Sequence, residues 1–300
     1  MTRWLVTGAG GMLGRDMVSV LAGARDVDVT PLDLPYLDIT DSHAVGDAVA
    51  GHDVVVNTAG WTDVDGAETA EAAATAVNGA GVANLAEACR RSGARLLHIS
   101  TDYVFPGNAT APVPEDAPTG PVNAYGRSKL VGERAVLELL PDRGYIVRTA
   151  WLYGEHGRNF VTTLLRLAAD RETIDVVDDQ RGQPTWSYAL AQRLEALGRA
   201  AQGRAALDGA ALDGGAPAGI YHVTAAGSTT WCGLARAVFD EAGLDPGRIR
   251  PTTSERFPRP ARRPAYSVLG HERWPAAGLT PMTDWRSMLS EAFVRLGFRT

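Results

Sequence analysis

Cysteine is scarce in this chain: Cys89 and Cys232 are the only two in 300 residues, far apart and in no metal-ligating spacing. That excludes a disulfide framework and a cysteine-based zinc site, and leaves buried or half-buried thiols in a reducing compartment as the expectation. The six histidines show no metal spacing either. No apolar run approaches the roughly eighteen residues that a membrane span needs. The chain opens Met-Thr-Arg-Trp-Leu-Val-Thr-Gly, which lacks the charged and apolar regions of a secretory leader. No basic tract occurs and the net charge is -6, which argues against a nucleic-acid partner. The expectation is a soluble, cytoplasmic protein that binds neither membrane nor nucleic acid. Hydrophobic residues make up 45%, ample for the core of one large domain or two smaller ones.

What is present begins with glycine. A short β-favouring run at residues 4–7 leads directly into Gly8-Ala9-Gly10-Gly11-Met12-Leu13-Gly14, and residues 15–21 read as a helix start. Strand, glycine turn and helix is the setting in which such a pattern binds a dinucleotide. Gly8 permits the tight turn, Gly11 lets the backbone approach a pyrophosphate, and Gly14 lets helix and strand pack closely. The pyrophosphate would sit on the helix N-terminus. The same residues would also suit a flexible loop in an α/β protein that binds no nucleotide.

A second strand is expected at residues 27–32, ending at Asp33. A carboxylate there accepts hydrogen bonds from an adenosine ribose and repels a 2′-phosphate, which favours NAD. Arg15, beside the glycine loop, could hold a 2′-phosphate, so the two signals conflict. Asp38 and Ile39 could flank an adenine, whereas Asp41 and Ser42 read as N-capping residues of a helix at 42–49. Residues 53–57 form a nearly continuous apolar run, as in a central parallel strand buried on both faces. Ala59 and Gly60 follow, small enough for a flat cofactor to come close. An alanine-rich helical stretch spans 68–91, broken near Asn78-Gly79. Residues 95–100 are the next strand, and Thr101 stands at its carboxyl end with a hydroxyl that can bond a substrate oxygen.

Tyr125 and Lys129 lie four residues apart, so on a helix they share a face. A free tyrosine has a pKa of about 10. A cation one turn away favours the phenolate and lowers that value, which suits general acid–base work on a hydroxyl or carbonyl. Taken alone, such a pair is equally an ordinary helix surface.

Together these pieces resemble the short-chain dehydrogenase/reductase superfamily. A closer match lies in Ser100-Thr101-Asp102-Tyr103-Val104-Phe105-Pro106-Gly107, Tyr125-Gly126-Arg127-Ser128-Lys129-Leu130-Val131-Gly132-Glu133 and Arg148-Thr149-Ala150-Trp151-Leu152-Tyr153-Gly154. With Asp179-Gln180-Arg181-Gly182-Gln183-Pro184-Thr185, Gly219-Ile220-Tyr221-His222 and Trp231, and Arg263-Pro264 with Ser267 and Leu269, these motifs resemble the dTDP-4-dehydrorhamnose reductase family over nearly the whole chain. It implies an α/β fold: a Rossmann-type doubly wound parallel sheet with a smaller C-terminal substrate domain. The cofactor domain is expected at residues 1–153, rejoined by about 184–226, and the sugar-nucleotide domain mostly at 154–300. It implies Thr101, Tyr125 and Lys129 as the catalytic set, with Lys129 also holding the nicotinamide ribose. The cofactor residues would be Gly8, Gly11, Met12, Leu13, Gly14, Asp33, Asp38, Ile39, Ala59, Gly60, Thr62, Tyr125 and Lys129. The substrate would meet Thr101, Asp102, Tyr103, Trp151 and Arg263, with Trp151 placing the sugar ring and Arg263 the diphosphate.

The implied activity is reduction of the 4-keto group of a dTDP-4-keto-6-deoxy sugar, giving dTDP-L-rhamnose or a related deoxysugar or streptose-type product. The implied cofactor is NADPH, with NADH open because of Asp33, in a monomer or homodimer. Dehydratases of the superfamily carry Asp-Glu after the strand-end threonine. Here Tyr103 follows Asp102, which disfavours water elimination. An epimerase stays open, as does a non-catalytic regulatory subunit like that of methionine adenosyltransferase. Gly60 stands where the family has alanine, and residues 205–219 carry an insertion-like Ala/Gly/Asp run, within a low-complexity segment at about 198–219 that should close a helix and then loop at the surface. No metal site is expected, and Asp16 is expected as a solvated first-turn carboxylate favoured by the helix dipole.

Overall fold

In a computed structural model, which describes residues 1–203 and 215–297, the N-terminal half folds as alternating strands and helices. β1 (Thr2–Thr7) passes through the glycine loop into α1 (Met12–Ala22) and β2 (Val27–Leu32). α2 (Ser42–Val49) and β3 (Val54–Asn57) follow, then the short α3 (Val64–Ala67) and α4 (Glu71–Thr75). A π turn over Ala76–Gly81 leads into α5 (Val82–Ser92), β4 (Arg95–Thr101), α6 (Ala124–Leu139) and β5 (Gly144–Thr149). Beyond it come β6 (Leu152–Tyr153), α7 (Phe160–Asp170), β7 (Ile174–Val177), β8 (Arg181–Gly182), β9 (Thr185–Trp186) and α8 (Ser187–Ala201). The described chain then continues with β10 (Gly219–His222), β11 (Thr229–Thr230), α9 (Trp231–Glu241), β12 (Ile249–Thr252), α10 (Arg273–Ala276) and α11 (Trp285–Leu296).

Six strands form one sheet in the order β10-β5-β4-β3-β1-β2, every pairing parallel. The chain runs outward from β1 in both directions, so the order reverses between β1 and β3. Ligands of such sheets bind at that reversal, beyond the carboxyl ends of the strands. Both faces are covered, which is why Val54, Val55 and Val56 are all fully buried. Trp4, Val6, Val54 and Val56 point to one face and pack with Met17 and Leu21 of α1 and Leu190 and Leu194 of α8. Leu5, Val55, Leu96 and Ile146 point to the other and pack with residues of α2, α5 and α6. Each such side chain contributes about 1.5–3 kcal/mol by leaving water.

Two sequence expectations need correction. The stretch at 68–91 is not broken at Asn78: a π turn carries α4 continuously into α5, and Asn78 is buried within it. Asp16 is not solvated, because the Ser187 hydroxyl of α8 donates to its Oδ2 and the residue is buried. The low-complexity segment closes a helix as expected: Gly198, Ala200 and Ala201 are the buried end of α8, and a side chain at Gly198 would strike the Trp4 ring. Most of the expected insertion, residues 205–214, lies outside the described residues. Among the described residues no helix is long and apolar enough to cross a membrane.

Candidate active site

A cleft of about 1020 Å³ opens at the carboxyl ends of the strands, and every expected site residue except Arg263 lines it. Its volume is at the top of the range for a single small ligand, so it has room for two.

One end is made largely of backbone. Gly8 has φ +69, and a Cβ there would lie 2.5 Å from the Ala59 nitrogen. A Cβ on Gly14 would lie 2.2 Å from the Gly8 carbonyl oxygen. Neither position admits a side chain. Gly11 differs: a Cβ would meet only the Gly8 oxygen, at 3.3 Å, and otherwise point into open space. It is the N-cap of α1, which has no side-chain cap and no acidic residue in its first turn. The positive end of α1 is therefore free to meet a diphosphate, and these residues fit one.

Asp33 is turned into the loop, accepting from the Gly10 N–H at 2.7 Å and the Leu34 N–H at 2.8 Å. Both oxygens already hold backbone donors, which weakens its repulsion of a nearby phosphate. Arg15 is exposed beside it, with Nε bound to the Gly10 oxygen at 3.0 Å and its terminal nitrogens unbonded among the described residues. Asp38 accepts from the Thr40 N–H and hydroxyl, which hold its carboxyl below the usual range. Ile39 is buried against Gly81.

The middle of the cleft brings the acid–base candidates together. Thr101 ends β4, and its hydroxyl donates to Asp102 Oδ1 at 2.9 Å. Asp102 is buried, and burial pushes this carboxyl up to about 6 against hydrogen bonds from Ser267 and Thr101 that oppose the rise. Tyr125 is placed in the first turn of α6 by the Asn123 side chain, which caps the helix by accepting from the Gly126 N–H at 2.8 Å. Tyr103 meets Tyr125 edge-on, with ring centres 5.9 Å apart. Burial raises the Tyr125 phenol above its usual value, the Asp102 charge adds to the rise, and a bond with Thr101 opposes it.

Lys129 lies one turn further on and is 5% exposed. Its Nζ donates to the Ile99 carbonyl at 3.0 Å, and burial lowers it to about 8. The expected lowering of the tyrosine by this lysine is thus outweighed in the structure: burial sets the phenol high, and the ammonium is turned to a backbone oxygen. A Cβ on Gly60 would lie 3.1 Å from Nζ and 3.0 Å from Asn78 Oδ1, so the glycine leaves room that alanine would crowd. Asn78 binds the Trp61 N–H, the Trp61 carbonyl and the Ser128 hydroxyl, tying the loop after β3 to α6. Beneath Lys129, Glu133 takes two bonds from Arg148, at 2.9 and 2.7 Å, and one from the Ser100 hydroxyl. Breaking such a buried pair from one side costs about 3–5 kcal/mol, so it holds α6 firmly against β4 and β5. Lys129 is the one lysine among 29 basic residues. Arginine could not replace a group that titrates in this range.

The far end is made of side chains drawn from distant parts of the chain. Trp151 follows β5 in a left-handed conformation, φ 48, rare for a tryptophan. Its ring stacks on Trp231 with centres 3.6 Å apart and planes 7° apart. Gly182 lies against the ring as well, for a Cβ there would be 2.5 Å from it. Trp151 therefore lines the cleft as one member of a stacked pair, with Trp231 covering one face of its ring. Trp231 Nε1 donates to Gln180 Oε1 at 3.1 Å, and Phe160 meets it at 4.7 Å. Arg263 is not brought to this surface. It donates to Asp65 Oδ1 at 2.8 Å and to the Ala261 carbonyl at 2.7 Å, while Arg259 binds the other Asp65 oxygen. Although burial opposes it, those bonds hold Asp65 down to about 2. Sequence reasoning missed Arg158, Trp61 and Asn78. Only Asn78 carried a local signal, at the expected helix break.

Residues 2–297 match the family described as the RmlD substrate binding domain. A dTDP-4-dehydrorhamnose reductase of Streptomyces griseus is 57% identical over 296 residues, spanning 98% of this chain and 94% of the relative. A dTDP-4-keto-6-deoxy-D-glucose reductase of Streptomyces niveus is 51% identical over 293 residues, spanning 97% and 96%. The crystal structure of a dTDP-4-dehydrorhamnose reductase from Bacillus anthracis in complex with NADP superposes with a TM-score of 0.89 at 34% identity, covering 98% of this chain and all of that one. With the glycine loop, Thr101, Tyr125 and Lys129 all on one cleft, the chain belongs to the dTDP-4-dehydrorhamnose reductase family of short-chain dehydrogenases/reductases.

Proposed function

We propose that this cleft reduces the 4-keto group of dTDP-4-dehydrorhamnose to give dTDP-L-rhamnose, with NADPH as reductant. The observation that carries the reading is the convergence of Thr101, Tyr125 and Lys129 on a cleft whose other end is a diphosphate cradle. The names of the Streptomyces griseus and Streptomyces niveus relatives support the substrate class. NADPH supplies the hydride.

The residues do the rest. Tyr125 gives its phenolic proton to the oxygen that gains charge at C4. A phenol is protonated at neutral pH, the form that reduction requires, and burial raises this one further. The Thr101 hydroxyl bonds the same oxygen and stabilises its developing charge. Lys129 holds ribose hydroxyls, and its positive charge favours the tyrosinate left behind. Residues 1–153, with the return through β10, carry the cofactor, and residues 154–300 mostly carry the sugar nucleotide; the pairing of β10 with β5 supports the return. The enzyme works in the cytoplasm, where its buried free thiols stay reduced, as a monomer or homodimer.

The test is direct. Purified protein mixed with a dTDP-4-keto-6-deoxy sugar should consume NADPH stoichiometrically and release a dTDP-deoxysugar. Binding of both ligands without turnover would favour the regulatory reading instead.

A further inference from the structure

We infer that Arg158 is the residue that binds the substrate's diphosphate. The inference rests on the proposed function and names the cation of the same cleft. A nucleotide sugar brings two negative charges into a cleft already lined by Asp33, Asp38 and Asp102. Arg263, the arginine that the sequence suggested for this role, is bound to Asp65 and does not line the cleft. The described residues lining the cleft include two cations, Lys129 and Arg158. Lys129 is buried with its Nζ on a backbone carbonyl. Arg158 is exposed, and it makes no hydrogen bond or ion pair among the described residues.

Its place in the chain mildly disfavours an unpaired cation. Arg158 directly precedes Asn159, the N-cap of the eleven-residue helix α7. The positive end of a helix disfavours a cation and favours an anion. The backbone there is fixed: Asn159 Oδ1 accepts from the Thr162 N–H at 3.0 Å, and Nδ2 donates to the Gly154 carbonyl at 2.9 Å. Gly157, at φ +68, makes the turn that precedes Arg158. A firmly held backbone thus carries a free guanidinium at a site where both it and the helix end call for an anion. Trp151 and Trp231 line the same cleft, so a diphosphate on Arg158 would share it with the sugar ring. The cofactor's diphosphate has its own donor, the uncapped N-terminus of α1.

Titration of NADPH-loaded protein with dTDP alone tests the assignment, using wild type, Arg158→Gln and Arg158→Lys. Loss of a charge-assisted bond should weaken dTDP by about ten- to a hundredfold in Arg158→Gln, with Arg158→Lys between. The weakening should shrink as salt is added, because the lost interaction is screened. NADPH affinity should be unchanged, and KM for the sugar nucleotide should rise with little change in kcat. Unchanged dTDP affinity in Arg158→Gln would overturn the assignment. So would a loss of NADPH affinity with dTDP binding intact, which would give the arginine to the cofactor. If wild type itself fails to bind dTDP, the proposed function falls and this inference with it.

Discussion

Gly8, Gly11 and Gly14 shape one end of the cleft by what they lack, whereas Trp151, Gly182, Trp231 and Arg158 shape the other by what they bring. The proposed cofactor end draws on one stretch around β1 and α1, with Asp33 closing it from the next strand. The proposed substrate end is assembled from positions spread between 151 and 231, and no two of its aromatic partners are neighbours in sequence. Diphosphate recognition by backbone needs short-range geometry, which a handful of adjacent residues can encode. Recognition of a particular sugar needs side chains in a particular arrangement, which only the folded chain supplies. Between the ends, α6 carries Tyr125 and Lys129 on a helix fixed by the buried Glu133–Arg148 pair.

The largest contrast should come from the glycines. Gly11→Val places its side chain where only the Gly8 oxygen is near, so the fold should hold while NADPH affinity falls by at least about a hundredfold, about 2.7 kcal/mol. Gly14→Val should fail to fold, because its Cβ has nowhere to go. Fluorescence titration and thermal melts separate the two. Wild-type affinity in Gly11→Val would show that the diphosphate lies elsewhere.

Lys129→Met should trade activity for stability. Burial lowers the lysine from 10.5 to about 8, so the folded protein holds this proton less tightly than the unfolded chain. The cost of burying the charge is full below about pH 8, fades as pH rises toward 10.5, and is absent above. Methionine removes it, so the variant should be more stable by about 1–3 kcal/mol at pH 7 and by nothing near pH 10.5. Denaturant midpoints across that range give the difference directly. A difference independent of pH would mean that the lysine is not a strained charge.

At the substrate end, Trp231→Ala removes the partner of Trp151. KM for the sugar nucleotide should rise about tenfold, about 1.4 kcal/mol, with NADPH binding unaffected. The circular-dichroism couplet of two stacked indoles should vanish with it. An unchanged KM would make the stack mere packing.

The smallest effect tests Arg15 against Asp33. Arg15→Gln should lower the kcat/KM preference for NADPH over NADH by less than about tenfold, because Asp33 is already held by two backbone donors. An unchanged ratio would remove Arg15 from cofactor choice.

These predictions also mark what could be read in advance. The sheet, the glycine loop and the Tyr125–Lys129 spacing are local patterns, and the structure has them where the residues put them. Asp41 caps α2 by accepting from the His43 and Ala44 N–H groups, as its position before an apolar helix suggested. What could not be read depends on contacts between distant segments. Asp65 occupies Arg263 from almost two hundred positions away, Ser187 buries Asp16, and Trp231 covers the face of Trp151. The rise of the Tyr125 phenol has the same origin, since burial and the neighbouring Asp102 charge are properties of the packed site. Spacing alone places Lys129 beside Tyr125 but not its Nζ on the Ile99 carbonyl.

The central claim is that Tyr125 gives the proton. Single-turnover oxidation of NADPH by a dTDP-4-keto-6-deoxy sugar, compared between wild type and Tyr125→Phe, measures that step alone. Phenylalanine keeps the edge-on contact with Tyr103 and removes only the hydroxyl. The rate should fall by about 10²–10⁴-fold while NADPH and dTDP bind as in wild type. A variant that keeps more than about a tenth of the wild-type rate, with chemistry rate-limiting, would show that the proton comes from another group and would contradict the account.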